Sequence, residues 1–249
     1  MAGEKTFQLG PVKVRVHTSG DPGPAKERLS QDRIVDVALA QMTERGYEAV
    51  SMRSIAKELG TGPASLYAHV ANKDELDQLL VDRVAREFPM PEPDPSRWDE
   101  QLKQALLDML TVYRAHPGVA RASLGMIPTS PGALRNAEGV LALCRAGGVP
   151  DQLAAWSCDM FALYIGAVAI EEDVWRTRAA TASESGEPYG EDAVVAAVHD
   201  HFAALPVDEF PLLRSLAAVM TTGDGDDRVG FAVEIMVEGL KAMSARADR

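Results

Sequence analysis

The chain has 249 residues, of which 46% are hydrophobic and 25% charged, a balance that fits a globular protein and excludes a disordered or fibrous one. Its net charge of −12 argues against broad affinity for polyanions. The charge is uneven, however: residues 1–88 carry 12 Lys/Arg against 13 Asp/Glu, and the remainder carries 13 against 24.

The N-terminal run has no apolar segment of signal-peptide type. Residues 1–28 read as a flexible basic arm. Val12 to His17 alternates Val with basic groups, a strand-like pattern, and Ser19 to Pro24 is a turn-rich spacer. Lys13, Arg15, Lys26 and Arg28 could reach DNA as homeodomain arms do; a plain tail or a strand pairing elsewhere is the alternative. A first helix begins near Ser30, buries Ile34, Val37, Ala38 and Met42, and ends at Gly46. Ser51 caps a second helix whose Met52, Ile55, Ala56 and Leu59 recur at i, i+3, i+4 and i+7. Gly60-Thr61-Gly62 breaks it, and Pro63 suits the first position of a third helix anchored by Leu66 and Val70. Asn72 to Glu75 has the form of a capping box. It opens a fourth helix, to about Glu87, with Leu76, Leu79, Leu80 and Val84 facing inward. This is the layout of a helix-turn-helix, which seats its second helix in the DNA major groove.

The segment from Leu29 through Phe88 resembles the TetR family of bacterial transcriptional regulators. The resemblance is carried by Leu66-Tyr67-x-His69-Val70-x-Asn72-Lys73-x-x-Leu76 and by Ser51-Met52-Arg53-x-Ile55-Ala56-x-x-Leu59-Gly60. It implies that Arg53 contacts DNA, a role for which its bidentate fork suits guanine. It also implies that Tyr67 and Lys73 hold the phosphate backbone. His69 either does the same or is a helix-end histidine satisfied by backbone. Ser51 and Ser65 could bond phosphates or base edges, and Thr61, Gly62 and Ala64 complete the candidate DNA-binding face. Few long side chains remain to read bases, so readout leans on Arg53, small contacts, DNA shape or the arm.

Four prolines between Pro89 and Pro95 stop the fourth helix and mark a domain boundary. Beyond it the chain reads as helical. One helix is capped by Ser96 and another runs from about Pro131 to Ala146. The longest spans about Asp151 to Thr177. Between Ala154 and Ile170 that helix is apolar all round except for Asp159, so it must be covered on more than one side. It falls short of the roughly 20 apolar residues of a membrane span. Ala179 to Asp192 reads as a loop. Further helices follow over about 191–205, 212–220 and 228–243. Cys144 and Cys158 are isolated, which suggests a reducing compartment and small apolar roles. Leu124-Gly125-x-x-Pro128, Gly166-Ala167-Val168 and Gly230-Phe231-x-x-Glu234-x-x-x-x-Gly239-Leu240 are similar to the regulatory domain of the tetracycline-repressor branch. That similarity implies dimerisation through the long apolar helix and the last helix, as a four-helix bundle.

The fold class expected is therefore all-α: a helix-turn-helix domain over 29–88 and a larger ligand-binding and dimerisation domain over 96–249. Candidate ligand contacts are Tyr113, Met126, Trp156, Met160, Phe161, Tyr164, Glu171 and Trp175, although Met and aromatic stripes at helical spacing are usually core. Positions where the tetracycline-specific branch has His are Ser123 and Pro89 here, so Mg-tetracycline chemistry does not carry over. His199 and His201, two apart, do not share a helix face for a metal, and no cofactor is expected. No Gly-rich phosphate loop, GxSxG or HExxH appears, against an enzyme. The expected protein is a cytoplasmic homodimeric repressor that binds double-stranded operator DNA and is released by a small organic effector, with no membrane partner. A ligand-independent regulator or activator is the alternative; a cavity of drug size in the C-terminal bundle discriminates.

Overall fold

The computed structural model describes residues 4–9, 12–17, 28–185 and 190–247. Near the N-terminus, strands β1 (Glu4–Leu9) and β2 (Val12–His17) pair antiparallel, with Glu4 opposite His17 and Leu9 opposite Val12. The alternation over Val12–His17 accordingly forms a strand. Its partner β1 was not expected, because only Phe7 and Leu9 mark an apolar alternation there. Lys26 lies outside the described residues.

Helix α1 (Gln31–Arg45) starts where Ser30 accepts from the Arg33 N–H at 3.3 Å and stops at Gly46, whose φ of +80° only glycine adopts without strain. After a 3₁₀ turn at Tyr47–Ala49, α2 (Met52–Glu58) begins with a reciprocal cap between Ser51 and Ser54. It ends in a Schellman motif: the Thr61 N–H reaches Ala56 O at 2.9 Å, the Gly60 N–H reaches Lys57 O at 3.2 Å, and Gly60 supplies φ +62°. Pro63 then opens α3 (Pro63–Leu66), shorter than the run to Val70 that the pattern suggests. The N–H groups of His69 and Val70 both converge on Leu66 O, which closes the turn instead of extending the helix. Asn72 caps α4 (Lys73–Ala85) by accepting from the Glu75 N–H at 2.8 Å; the Glu75 carboxylate turns back to the Ala71 N–H, one residue earlier than a capping box requires.

Ile34, Ala38, Ile55, Leu66, Val70, Leu76, Leu80 and Val84 are fully buried and hold these four helices together. Each large one contributes about 1.5–3 kcal/mol by leaving water.

The proline segment leads to α5 (Trp98–Ala115), whose start differs from expectation. The Ser96 hydroxyl donates to Asp94 rather than capping, and Arg97 holds the cap position without a side-chain bond. Next come α6 (Val119–Ser123), α7 (Pro131–Ala146), α8 (Asp151–Ser185), α9 (Glu191–Ala203), α10 (Pro211–Ser215), α11 (Ala217–Met220) and α12 (Gly225–Ala247). The segment 179–185, expected as a loop, is a continuation of α8, because its alanines favour helix strongly. Helices α5, α7, α8 and α12 pack as a bundle, tied at one end by Arg114, which bonds Glu172 through two nitrogens and Asp226 at 2.6 Å. A single cluster of buried side chains runs from Ile34 in α1 to Leu240 in α12, so α4 belongs to the core on both sides of the proline segment.

Candidate functional site

The exposed side of α2 carries Arg53, Lys57 and Glu58, whereas that of α3 is small and uncharged. Arg53, Gly62, Pro63, Ala64, Ser65, Tyr67 and His69 all face solvent, and Thr61 is half-buried behind them. Leu66 and Val70 pin this face from beneath, and Gln31 Nε2 donates to His69 O at 3.2 Å, fixing the end of the turn to α1. The Ser51 hydroxyl is occupied by the cap, accepting from the Ser54 N–H at 3.1 Å. Arg28 is exposed at the entry to α1.

Lys73 sits at the rim and is not a bare cation. Its ammonium pairs with Asp77 and lies 4.2 Å from the centroid of the Tyr47 ring. Asp77 is buried and also accepts from the Tyr47 hydroxyl at 2.9 Å. Burial, then the Asp77 carboxylate, pushes the Tyr47 hydroxyl up to about 12, so it stays a donor. The cluster aims the Lys73 nitrogen while removing part of its charge.

The far half of α4 is fastened to the regulatory helices by polar ties. Asp82 Oδ1 accepts from the Gly132 N–H at 2.7 Å, its other oxygen meets Arg86, and Asn136 Nδ2 donates to Ala85 O at 2.8 Å. Burial pushes the Asp82 carboxyl up, but the Gly132 N–H, Arg86 and Ser130 outweigh it and hold the group below its ordinary range. Helix α6 is seated just as closely. Gly118 adopts φ +88°, and a Cβ there would lie 2.6 Å from Met42 Cγ. Its N–H donates to Asp173 Oδ2 of α8 at 2.6 Å, and Arg121 bonds Glu48 within the 3₁₀ turn.

Between these fastenings lies a cavity of about 560 Å³, well within the size range of ligand pockets. Its wall takes Gln78, Val81 and Ala85 from α4, Leu106, Met109 and Tyr113 from α5, and Ala120 and Ser123 from α6. The 124–130 loop, α7 and α8 close it. Of the sequence-derived ligand candidates, the fold brings Tyr113, Met126 and Phe161 together here. Tyr164 packs at the edge of the core, outside the lining. Trp156, Met160, Glu171 and Trp175 stand on the exposed face of α8, where Trp156 is 65% exposed. Ser123 lines the cavity and Pro89 does not. The α4 residues were missed from sequence. Their signal is a second stripe, Gln78, Val81 and Ala85, beside the core stripe of Leu76, Leu80 and Val84.

A single helix thus presents one face to the reading head's core and the adjacent face to a cavity. Residues 34–78 match the family of bacterial regulatory proteins of the tetR type, and residues 90–244 match the tetracyclin repressor-like C-terminal domain. The HTH-type transcriptional repressor DrrR1 of Streptomyces coeruleorubidus is 30% identical over 229 residues, covering 90% of this chain and 81% of that one. ActR from Streptomyces coelicolor in complex with actinorhodin superposes with a TM-score of 0.78 at 36% identity, covering 89% of this chain and 99% of ActR. Apo ActR gives 0.77 at the same identity, over 88% and 98%. The tetracycline repressor of class D from Escherichia coli is 25% identical over 86% of this chain and 90% of its own. With both of its regions matched and these regulators aligned over most of their length, the chain belongs to the TetR family of bacterial transcriptional regulators.

Proposed function

We propose that the protein is a cytoplasmic repressor that binds a palindromic operator as a homodimer and leaves it when a small organic molecule fills the cavity. The observation that carries this reading is α4: Leu76, Leu80 and Val84 lie in the core of the reading head, and Gln78, Val81 and Ala85 lie in the cavity wall. An occupant that shifts α4 relative to α7 alters the separation of two heads in a dimer and thereby lowers operator affinity. ActR's complex with actinorhodin supports a small-molecule occupant. The division into a head over 29–88 and a regulatory domain over 96–249 is part of the same reading.

Two faces left bare in the single chain support the homodimer. Helix α8 buries the stripe Ala154, Ser157, Phe161, Ile165 and Ala169 and exposes Trp156, Met160 and Leu163. Helix α12 buries Val229, Val233, Val237 and Leu240 and exposes Phe231, Ile235 and Met243. Apolar faces of this size mark interaction surfaces. Paired with a second copy, they form a four-helix bundle.

The cavity favours this reading over a ligand-independent regulator. Genomic binding-site mapping supplies the operator. Fluorescence polarisation on that duplex should then give two chains per site, on half-sites about 34–36 Å apart. A compound that occupies the cavity should weaken operator binding by roughly 5–150-fold, and operator should weaken the compound equally. A monomer on the operator, or an occupant that leaves operator affinity unchanged, would overturn the proposal.

A further inference from the structure

Among the residues lining the cavity there is no Lys, Arg or His, and the one charged side chain is the carboxylate of Asp159. The polar groups of the wall are mostly committed to the protein. Ser123 Oγ donates to Ala120 O at 2.8 Å, Asn136 Nδ2 donates to Ala85 O, and the Ser130 hydroxyl serves Asp82 while capping α7. The nearby guanidinium groups are engaged elsewhere: Arg114 with Glu172 and Asp226, Arg121 with Glu48, and Arg176 with Asp173. Gln78, Thr129 and Cys158 add an amide, a hydroxyl and a thiol; the rest of the wall is aliphatic or aromatic, with Phe88 and Tyr113 in edge-to-face contact at 5.3 Å and Phe161 fully buried.

From this wall we infer that the effector is an uncharged or cationic, largely aromatic molecule, and that the cavity discriminates against carboxylates and other anions. The inference rests on the ligand-responsive reading and names the chemistry of its ligand. An anion entering here would lose its water and gain at most neutral donors such as the Gln78 amide, with no cation to offset the loss, and would meet the field of Asp159. A neutral ring system loses little hydration and gains the apolar wall. An ammonium group gains Asp159 as partner and the faces of aromatic rings.

A matched set tests this: an anthraquinone carboxylic acid, its methyl ester and the corresponding aminomethyl compound, each titrated by calorimetry into the full-length protein at neutral pH. The ester and the amine should bind roughly 10- to 100-fold more tightly than the acid, the range expected for leaving one charged group unsatisfied. Asp159→Lys, a change at a solvent-exposed residue of the cavity wall, should bring the acid to within a few-fold of the ester. Gly166→Leu locates the binding, since Gly166 lines the cavity and a Cβ there meets no atom within 4 Å. That side chain should fill the space and weaken the ester without loss of fold. An acid that binds as tightly as its ester would overturn the charge selection and leave the ligand-responsive reading standing. Binding of none of the three, or ester binding unmoved by Gly166→Leu, would overturn the cavity as the ligand site, and the selection with it.

Discussion

The reading face and the cavity differ in how they are assembled. The side chains of the face between Ser51 and Lys73 are placed mainly by their own helices, caps and nearby turns, with two ties from outside, Gln31 to His69 O and Tyr47 beside Lys73. The cavity draws its wall from five helices, α4 to α8, and a loop, over residues 78–170. The face is local in sequence and its geometry follows from capping and φ preferences. The cavity exists only once the bundle has packed. The two meet along α4 and α6, so the proposed coupling would run through the fastenings between a locally built element and a globally built one.

Breaking the tightest of these fastenings should have the greatest consequence. Gly118→Ala places a Cβ against Met42 at a φ that L side chains rarely adopt. It should lower stability by about 3 kcal/mol in urea unfolding, combining backbone strain with overpacking. Gly125→Ala is the control. Its φ is +77° but nothing lies within 4 Å, so it should cost only about 1 kcal/mol. Equal losses at both positions would show that the α6 contact is not tight.

The same contrast decides how much was legible in the sequence. Helix boundaries in the head follow from Ser30, Ser51, Gly60, Pro63 and Asn72, each with a local physical role. The early end of α3 was not legible, because Leu66 O captures two N–H groups in place of one helical continuation. In the regulatory region the helices were legible as apolar stretches, but the face each one presents was not. Helix α8 is apolar around its circumference, so periodicity assigns it no unique inner side. Trp156, Met160 and Trp175 stand out by residue type alone. The fold instead buries the smaller stripe from Ala154 to Ala169, which lets α8 approach α5 and α7 closely. The partner strand β1 and the helical extension of α8 through Ser185 were also missed by pattern reading, the first for weak alternation and the second because its alanines run without a stop signal into a stretch rich in Ser, Glu and Gly.

A second pair of variants probes the locally built face. Arg53 is exposed, and the carboxylates of Asp32, Asp36 and Asp77 in the head pair with other cations. If Arg53 reads a base edge, Arg53→Ala should cost about 1–3 kcal/mol of operator affinity and relax preference at one base pair per half-site. Lys73→Ala should weaken all duplexes alike and reduce the salt slope by about one for each phosphate left without its cation. Asp77→Asn should strengthen binding to every sequence, since it releases the Lys73 charge that the carboxylate neutralises. Competition binding on operator and scrambled duplexes across a salt series measures all three. Equal loss of specificity from the Arg53 and Lys73 variants would reverse this division of roles.

The mildest change is expected at Asp173, where α8 holds α6 by the Gly118 N–H. Burial raises the Asp173 carboxyl above its ordinary value, and the Gly118 N–H and Arg176 only partly offset it. A carboxyl raised in the folded state contributes stability that is fully present below the unfolded value, about 3.9, and is lost as pH rises through the folded value. Ionised Asp173 is therefore a mild cost at neutral pH, tolerated because it fixes α6. Asp173→Asn keeps an acceptor for Gly118 without the charge. It should be neutral or stabilising by up to about 1 kcal/mol at neutral pH, and should flatten the stability profile just above the ordinary carboxylate range. Asp173→Ala leaves the Gly118 N–H without its partner and should cost about 1–2 kcal/mol at every pH. The Arg176 pair adds little, being largely exposed on the arginine side. Urea unfolding from mildly acidic to neutral pH separates the variants. An Asn variant as unstable as the Ala variant would mean that the charge itself, rather than the accepted hydrogen bond, seats α6 against the head.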